Sequence, residues 1–466
     1  MVTQLIEKAL RSIHRYGLIA PGDSLICALS GGPDSVCLAH FLADIRSEFR
    51  IEIVLAHVNY RTRGEESKLD EVLCRALADK FSLTIVVKSV GQNELSRMLD
   101  GNFQSEAHKF RYAFFEQLCQ DRGANKIAVG HTVDDVAETT LMHFLRGSGV
   151  TGLAGIYPQT GRTIRPLIDL SREEIVGYLD RHGIEYRTDK SNLEASYFRN
   201  RLRNDLIPHL EEKYNSRIRQ GLSRTARLAR ATDLFLTSHV DRLWDDAVGR
   251  SRMGKIRIDI GKYTEAEDII RFGLMRKAYK SVQSSDRPEK SLDYELVENA
   301  DRLIEQDVGI RADLKNGLMV ERGYDELIVF RNETVSFSEE LQLPGTCSFE
   351  RFCLGISGEI VDIAGERPGS SDNLAAGIDF ERTSAPYVVR TFENGDRVKL
   401  LNAPGSRKLS DIFVDRKIPR SLRAEIPVVT ARGSIVWIVG IGIADDVKIT
   451  RRTRKVLKLS ALPGVI

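Results

Sequence analysis

Along the N-terminal part of the chain, apolar residues fall in short blocks separated by longer, charged stretches with helical periodicity. Leu25-Ile26-Cys27-Ala28-Leu29 follows the turn signal Pro21-Gly22-Asp23 and reads as a buried strand; Val36 to Leu42 continues as a helix. Ile51 to Val58 predicts a second strand, Glu65 to Phe81 a charged helix, and Leu83 to Val90 a third strand. Glu106 to Arg122 predicts a helix, Lys126 to Gly130 a fourth strand, and Asp134 to Arg146 a further helix. Strands alternating with helices of this length predict an α/β fold with a doubly wound, mostly parallel sheet covered on both faces. Ligands of such sheets bind beyond the carboxyl ends of the strands. Ser30, His57 and His131 all fall there.

Further on, Ser171-Arg172-Glu173-Glu174 is a capping box that opens a helix running to His182. The pattern divides the chain into an α/β domain over residues 1–215, a mainly helical module over 216–335, an irregular linker over 336–386 and a small α+β module over 387–466. The linker assignment rests on Pro344-Gly345, Pro368-Gly369 and the pair Ser370-Ser371. In the last module Tyr387 to Thr391 and Ile435 to Ile441 predict short strands.

Composition changes this picture little. The chain has 466 residues, 42% of them hydrophobic, enough for several cores, and a net charge of +2 that points to no partner. Six cysteines (Cys27, Cys37, Cys74, Cys119, Cys347 and Cys353) are scattered without a C-x-x-C pair, which argues against a zinc site or a disulfide framework. The first residues read as an amphipathic helix bearing Glu7, Lys8, Arg11 and Arg15 rather than as a signal peptide. The longest apolar stretch, Ile435 to Ala444, is about half of what a membrane span needs. A soluble, cytoplasmic protein without a membrane partner is expected.

Candidate chemistry concentrates at the strand ends. Ser30-Gly31-Gly32-Pro33-Asp34-Ser35 lies where the first strand hands over to its helix. Two glycines free the backbone and clear space, and amides at a helix N-terminus suit an anion such as phosphate. Asp34 would repel phosphate unless a cation such as Mg²⁺ reverses the sign. The same six residues are also ordinary turn formers. In His131-Thr132-Val133-Asp134-Asp135-Val136-Ala137-Glu138, Asp134, Asp135 and Glu138 share the first turns of a helix. They suit Mg²⁺ or a cationic substrate such as a lysine side chain, and equally serve the helix dipole. Arg111 is a candidate for charge-assisted contact with a phosphate or carboxylate. Gly147 to Gly152 matches G-x-G-x-x-G but follows a helix, so it is no dinucleotide fingerprint. Residues 187–232 are basic, and Arg199-Asn200-Arg201-Leu202-Arg203, with Tyr186, Tyr197, Phe198 and Tyr214 nearby, predicts contact with a nucleic-acid backbone. The run Lys448, Arg451, Arg452, Arg454, Lys455 and Lys458 reads likewise.

Ser30 to Ser35 resembles the Ser-Gly-Gly-x-Asp-Ser signature of the PP-loop ATP pyrophosphatases, which cleave ATP between the α and β phosphates; no Gly-x-x-x-x-Gly-Lys-Ser/Thr string occurs. Further strings agree with one family: His57-Val58-Asn59, Glu106-Ala107 with Arg111-Tyr112, Gly130-His131, Asp134-Asp135 with Ala137-Glu138-Thr139, and Arg146-Gly147-Ser148-Gly149. Arg165-Pro166-Leu167, Asp189, Ser191-Asn192, Tyr197, Arg199-Asn200, Leu202-Arg203, Gly395-Asp396, Lys408 to Asp411, Lys417 to Arg420 and Trp437-Ile438 continue it. The chain resembles the bacterial tRNA(Ile)-lysidine synthetases over nearly its whole length. The resemblance implies a carbon–nitrogen ligase. ATP adenylates the C2 oxygen of the wobble cytidine in an isoleucine tRNA with a CAU anticodon, and the ε-amine of free L-lysine displaces AMP. Decoding then shifts from AUG to AUA.

By that likeness Ser30, Gly31, Gly32, Pro33, Asp34, Ser35, His57 and Gly130 would hold ATP, and Asp34 and Asp135 would carry Mg²⁺. Arg111, His131, Asp134, Asp135 and Glu138 would surround lysine or the adenylate, with Asp34, Arg111, His131, Asp135 and Glu138 as the catalytic set. Arg199, Arg201, Arg203, Lys417 and Arg420 would meet the tRNA. The sequence departs from the family at Tyr60-Arg61-Thr62, where His-Gly-Leu is usual, and at His108-Lys109, where Ala-Arg is commoner. A tRNA base-thiolation enzyme of the same superfamily is the alternative, but the cysteine cluster such chemistry uses is missing. A non-catalytic tRNA-binding protein and a small-molecule amidotransferase rank below it. Oligomeric state is left open, a homodimer among the options.

Overall fold

The computed structural model describes residues 4–62, 64–100, 103–187, 198–250, 254–283, 292–333, 336–349, 354–362 and 374–463. The chain divides into two compact units, Met1–Leu234 and Phe235–Ile466.

The first unit carries the predicted alternation. Its elements are α1 (Gln4–Tyr16), β1 (Ser24–Ala28), α2 (Pro33–Phe49), β2 (Glu52–Asn59), α3 (Glu65–Phe81), β3 (Thr84–Ser89), α4 (Gln92–Asp100), α5 (Phe103–Arg122), β4 (Lys126–Ala128), α6 (Val133–Leu145), α7 (Val150–Leu153), β5 (Gln159–Thr160), β6 (Thr163–Ile164), α8 (Arg172–Arg181), α9 (Phe198–Arg201), α10 (Ile207–Lys213) and α11 (Ile218–Ala247). The boundary between the units falls within α11. The sheet order is β3-β2-β1-β4-β6-β5, parallel throughout except for the β5–β6 hairpin. From β1 the chain builds outward in one direction to β2 and β3 and then returns to the other side as β4. This is the topological switch point at which open α/β sheets open a crevice.

One sheet face buries Leu25, Cys27, Leu55, Phe41, Leu42 and Tyr178 among α1, α2, α3 and α8; the other packs Ile26, Ile127 and Ala56 against Phe115 and Leu118 of α5. The predicted capping box holds: Ser171 Oγ accepts from the Glu174 amide at 3.2 Å, and Glu174 Oε2 from the Ser171 amide at 2.7 Å.

The second unit holds more strand than the sequence pattern predicts. Helices α12 (Ile260–Thr264), α13 (Asp268–Val282) and α14 (Tyr294–Asp301) are present, yet they pack on a five-stranded antiparallel sheet of β7 (Val248–Arg250), β8 (Ile256–Asp259), β9 (Arg311–Asp313), β10 (Leu318–Arg322) and β11 (Glu326–Arg331), ordered β7-β8-β11-β10-β9. Strands of three to six residues carry too few alternations to stand out beside three amphipathic helices.

Nor are residues 336–386 an irregular linker. They supply β12 (Ser338–Glu340), β13 (Gly345–Phe349), β14 (Leu354–Asp362) and β15 (Ala375–Asp379); β13 pairs with β14, and the other three pair with strands beyond residue 386. These later elements are β16 (Tyr387–Arg390), β17 (Arg397–Val398), β18 (Arg407–Lys408), α15 (Leu409–Asp415), β19 (Val428–Ala431), β20 (Ser434–Ile438), β21 (Gly442–Ile443) and β22 (Lys455–Pro463). β14 runs antiparallel to β22 over nine residue pairs and β12 pairs with β16, so one core joins Leu341 and Ile356 to Trp437 and Leu457. The partner strand lies about a hundred residues away, a pairing that local pattern cannot reveal. β20 also stops at Ile438, because Gly440 turns the backbone with φ +77°.

Candidate functional site at the sheet switch point

A cavity of about 960 Å³ opens above β1, β2 and β4. Its floor is the loop between β1 and α2. Gly31 takes φ +87°, a backbone conformation a Cβ disfavours, and Pro33 starts the helix where no amide partner is needed. Ser35 ties the loop to itself: its Oγ accepts from the Ser30 amide at 3.0 Å and donates to the Gly32 carbonyl at 2.9 Å. Across the switch point, a Cβ on Gly130 would sit 2.8 Å from the Asp34 carbonyl oxygen. Only glycine lets the end of β4 approach this closely and place Asp34 beside the cavity.

Asp34 is the strained member of the site. Its Oδ1 is buried without a hydrogen-bond partner among the described residues, and its other oxygen lies 3.8 Å from Arg172 Nη1. Burial raises its pKa to about 6; the Arg172 guanidinium works against that rise and the Asp135 carboxylate adds to it. A buried carboxylate oxygen without a donor fits a cation.

Asp135 is differently placed. Its Oδ2 accepts from the Thr132 amide (2.8 Å) and hydroxyl (3.0 Å), capping α6, while Oδ1 accepts from Arg199 (2.9 Å) and Arg203 (3.3 Å). Burial opposes its ionisation, yet Arg199 and the other donors hold its carboxyl below the usual range. Glu138, fully buried one turn on, accepts from Arg199 Nε at 2.8 Å and from both Nε and Nη2 of Arg203, the latter at 3.0 Å. Among the described residues no group of three or more His, Cys, Asp or Glu side chains could hold a metal.

Four residues that the sequence reading assigned to substrate or tRNA are paired in this structure: Arg199, Arg203, Glu138 and Asp134. Arg199 and Arg203 stand one helical turn apart and share a face, so both bond to the α6 carboxylates while still lining the cavity. Glu138 is closed off by them and does not line the cavity. Asp134 does not line it either: it accepts from the Arg172 amide and from Arg219 Nη1, both at 2.8 Å, and so joins α6 to α8 and α11. Arg201 is exposed as expected, its guanidinium 5.5 Å from the Phe198 ring; Arg146 lies 5.8 Å from the same ring. Asp189, Ser191, Asn192 and Tyr197 fall outside the described residues. Lys417 and Arg420 lie exposed in the second unit, where Lys417 lines a cavity of about 380 Å³ with Arg257, Tyr324 and Glu326.

Both strand-end histidines line the large cavity in defined tautomers. His57 Nδ1 donates to the Leu29 carbonyl at 2.9 Å, which leaves Nε2 as a buried acceptor without a partner among the described residues. His131 Nδ1 instead receives Arg165 Nε at 3.0 Å; an arginine can only donate, so the proton of the neutral ring sits on Nε2. Burial, reinforced by the Arg165 and Arg199 guanidinium groups, lowers the His131 pKa to about 4, so the ring is neutral at physiological pH. Arg165 itself is buried and held by the Tyr157 carbonyl at 2.8 Å. It escaped the strand-end reasoning because it follows β6, a strand of only two residues. Arg172, Arg187 and Tyr60, which also line the cavity, were missed as site residues for want of a motif.

A doubly wound sheet with this glycine-rich loop at its switch point, a buried lone carboxylate and converging guanidinium groups defines a PP-loop domain. The family model of that description matches residues 2–210, and the one described as the TilS substrate C-terminal domain matches residues 388–459. Over 459 residues the chain is 31% identical to the tRNA(Ile)-lysidine synthase of Caldanaerobacter subterraneus subsp. tengcongensis, covering 97% of each. It is 31% identical over 465 residues to that of Geobacter sulfurreducens, covering 97% of this chain and 96% of the relative. The chain belongs to the tRNA(Ile)-lysidine synthase family. Among solved structures, a TilS C-terminal domain is 26% identical with TM-score 0.26, covering 28% of this chain and all of that one. The U34-tRNA thiolase NcsA from Methanococcus maripaludis is 19% identical with TM-score 0.42, covering 49% of this chain and 79% of that one.

Proposed function

We propose that this protein is a tRNA(Ile)-lysidine synthetase that joins free L-lysine to C2 of the wobble cytidine of a CAU-anticodon isoleucine tRNA, with ATP converted to AMP and pyrophosphate. The observation that carries the reading is the cavity above Ser30 to Ser35, with its unpartnered Asp34 oxygen, in a chain alignable end to end with enzymes of that name.

In this reading the loop amides and the N-terminus of α2 receive the phosphates and offset the charge that develops on departing pyrophosphate. His57 Nε2, a bare acceptor, suits a donor on the nucleotide, and His131 Nε2–H suits an oxyanion. Mg²⁺ would be held by Asp34 together with phosphate oxygens, and it supplies charge neutralisation on the triphosphate. Asp135 is a poorer ligand in this conformation, since both of its oxygens already bond to donors. Lysine must enter as its ammonium and lose a proton before its nitrogen attacks C2 and AMP leaves. Phe198, exposed between Arg146 and Arg201 at the rim, offers an aromatic face to an unstacked base of the anticodon loop.

The thiolation alternative lacks a nucleophile in the first unit: Cys27, Cys37, Cys74 and Cys119 are all buried, and burial pushes the first three thiols up to about 12. Cys353 lies outside the described residues.

Labelled lysine incubated with total bacterial tRNA, ATP and Mg²⁺ tests the function. Stable, base-linked label in one isoleucine isoacceptor, matched by AMP release, is expected; AMP release without label would overturn lysine as the nucleophile. The tRNA surface is tested separately. Arg201→Ala should weaken tRNA binding and flatten its dependence on salt, whereas Arg199→Ala should chiefly destabilise the fold. An unchanged salt slope for Arg201→Ala would remove it from the interface.

A further inference from the structure

Tyr60 lies directly after β2. Its side chain turns onto α5, with the ring edge-on to Phe103 at 5.9 Å and tilted against Phe110 at 6.5 Å. The hydroxyl donates to the Ala107 carbonyl at 2.9 Å and accepts from Arg111 Nε at 3.2 Å. A phenol has one proton, so the two bonds use its donor and one lone pair in a fixed sense. The Arg111 guanidinium carbon also lies 5.8 Å from the Tyr60 ring centroid, within cation–π range. Two contacts therefore hold the arginine from behind, and the bond to Ala107 fixes the hydroxyl that makes one of them.

The other end of Arg111 is unspent. Its side chain lines the large cavity, and among the described residues neither Nη makes a hydrogen bond and no carboxylate lies within 4.0 Å. A guanidinium whose Nε is occupied can still grip a planar or tetrahedral oxyanion end-on through its two Nη groups. Ala107 and Arg111 are one turn apart on α5, so the single hydroxyl fixes both the helix backbone and the side chain it carries.

We propose that Tyr60 is a positioning residue that presents the Arg111 fork, end-on, to an oxyanion bound in the cavity: the carboxylate of lysine or a phosphate of the nucleotide. The assignment rests on the synthetase reading above. If Tyr60 only filled space, phenylalanine would serve equally well; the hydroxyl is what separates the two accounts.

The test is steady-state lysidine formation by the full chain carrying Tyr60→Phe, Tyr60→His, Arg111→Lys, or Tyr60→Phe with Arg111→Lys. Tyr60→Phe should raise one KM about ten-fold, that of lysine if the fork takes the carboxylate and that of ATP if it takes phosphate, with kcat and melting temperature little changed. Tyr60→His, which keeps a donor and an acceptor, should recover most of the loss. The double variant should be no worse than Arg111→Lys alone, because the hydroxyl acts through the arginine. Both KM values unchanged in Tyr60→Phe, or additive losses in the double variant, would overturn the proposal. A wild-type protein that makes no lysidine would instead overturn the synthetase reading; the same four variants would then be compared by equilibrium binding of lysine and of ATP.

Discussion

Replacing Asp34 with asparagine is expected to abolish tRNA-dependent AMP formation while making the metal-free protein more stable at neutral pH. The two effects have one cause. Gly130 brings the end of β4 against the Asp34 backbone, and the side chain is held with one oxygen buried and undonated. Burial raises its pKa from 3.8 to about 6, so the folded state keeps a proton that the unfolded chain loses near pH 4. For an acid shifted upward, folding stability falls as pH rises between those two values and stays reduced above them. At pH 7.5 the ionised group costs on the order of 3 kcal/mol. Asparagine removes the charge at nearly constant volume, so its melting temperature in EDTA should exceed that of wild type at pH 7.5. The difference should shrink as pH falls from about 6 through 4 and vanish below about pH 3, where the aspartate is protonated in both states. AMP formation should drop at least about a hundred-fold, with tRNA affinity nearly intact, because the lost group faces developing phosphate charge. A less stable variant at pH 7.5 that also binds tRNA poorly would show that Asp34 serves folding.

Glu138→Ala should be the most damaging single change to the first unit. This fully buried carboxylate bonds to Arg199 and Arg203, and its removal leaves two partly buried guanidinium groups with Asp135 alone. Breaking a buried ion pair from one side costs about 3–5 kcal/mol, or about 10 °C in melting temperature for a unit of this size. Glu138→Gln keeps an acceptor and the volume and should lose less. If Glu138 instead received the lysine ammonium, the alanine variant would melt normally and show a raised KM for lysine. Calorimetry alongside kinetics separates the two accounts.

The contrast between these two carboxylates also measures what could be read without a structure. Residue order alone placed Ser30 to Ser35, His57 and His131 at strand ends. Buried strands and amphipathic helices are local patterns, and in a parallel sheet the direction of each strand follows from the helix that returns the chain. The capping box at Ser171 was likewise visible, since turn chemistry is a local fact. Nothing local distinguished Asp34 from Asp134, Asp135 and Glu138. Their different fates were decided by Arg219, Arg172, Arg199 and Arg203, which arrive from other elements. The same holds for Tyr60 and Arg165: each acts through a partner some 30 to 50 residues away, Arg111 for one and His131 for the other. Strands β12, β14 and β15 followed the rule too, because each pairs with a strand that comes later in the chain. Sequence by itself determined β1 to β4, the helices α2, α3, α5, α6 and α8, their order and the loop at the switch point. Only the tertiary structure decided which charges are neutralised and which remain available, because pairing between distant side chains depends on packing and leaves no periodicity behind.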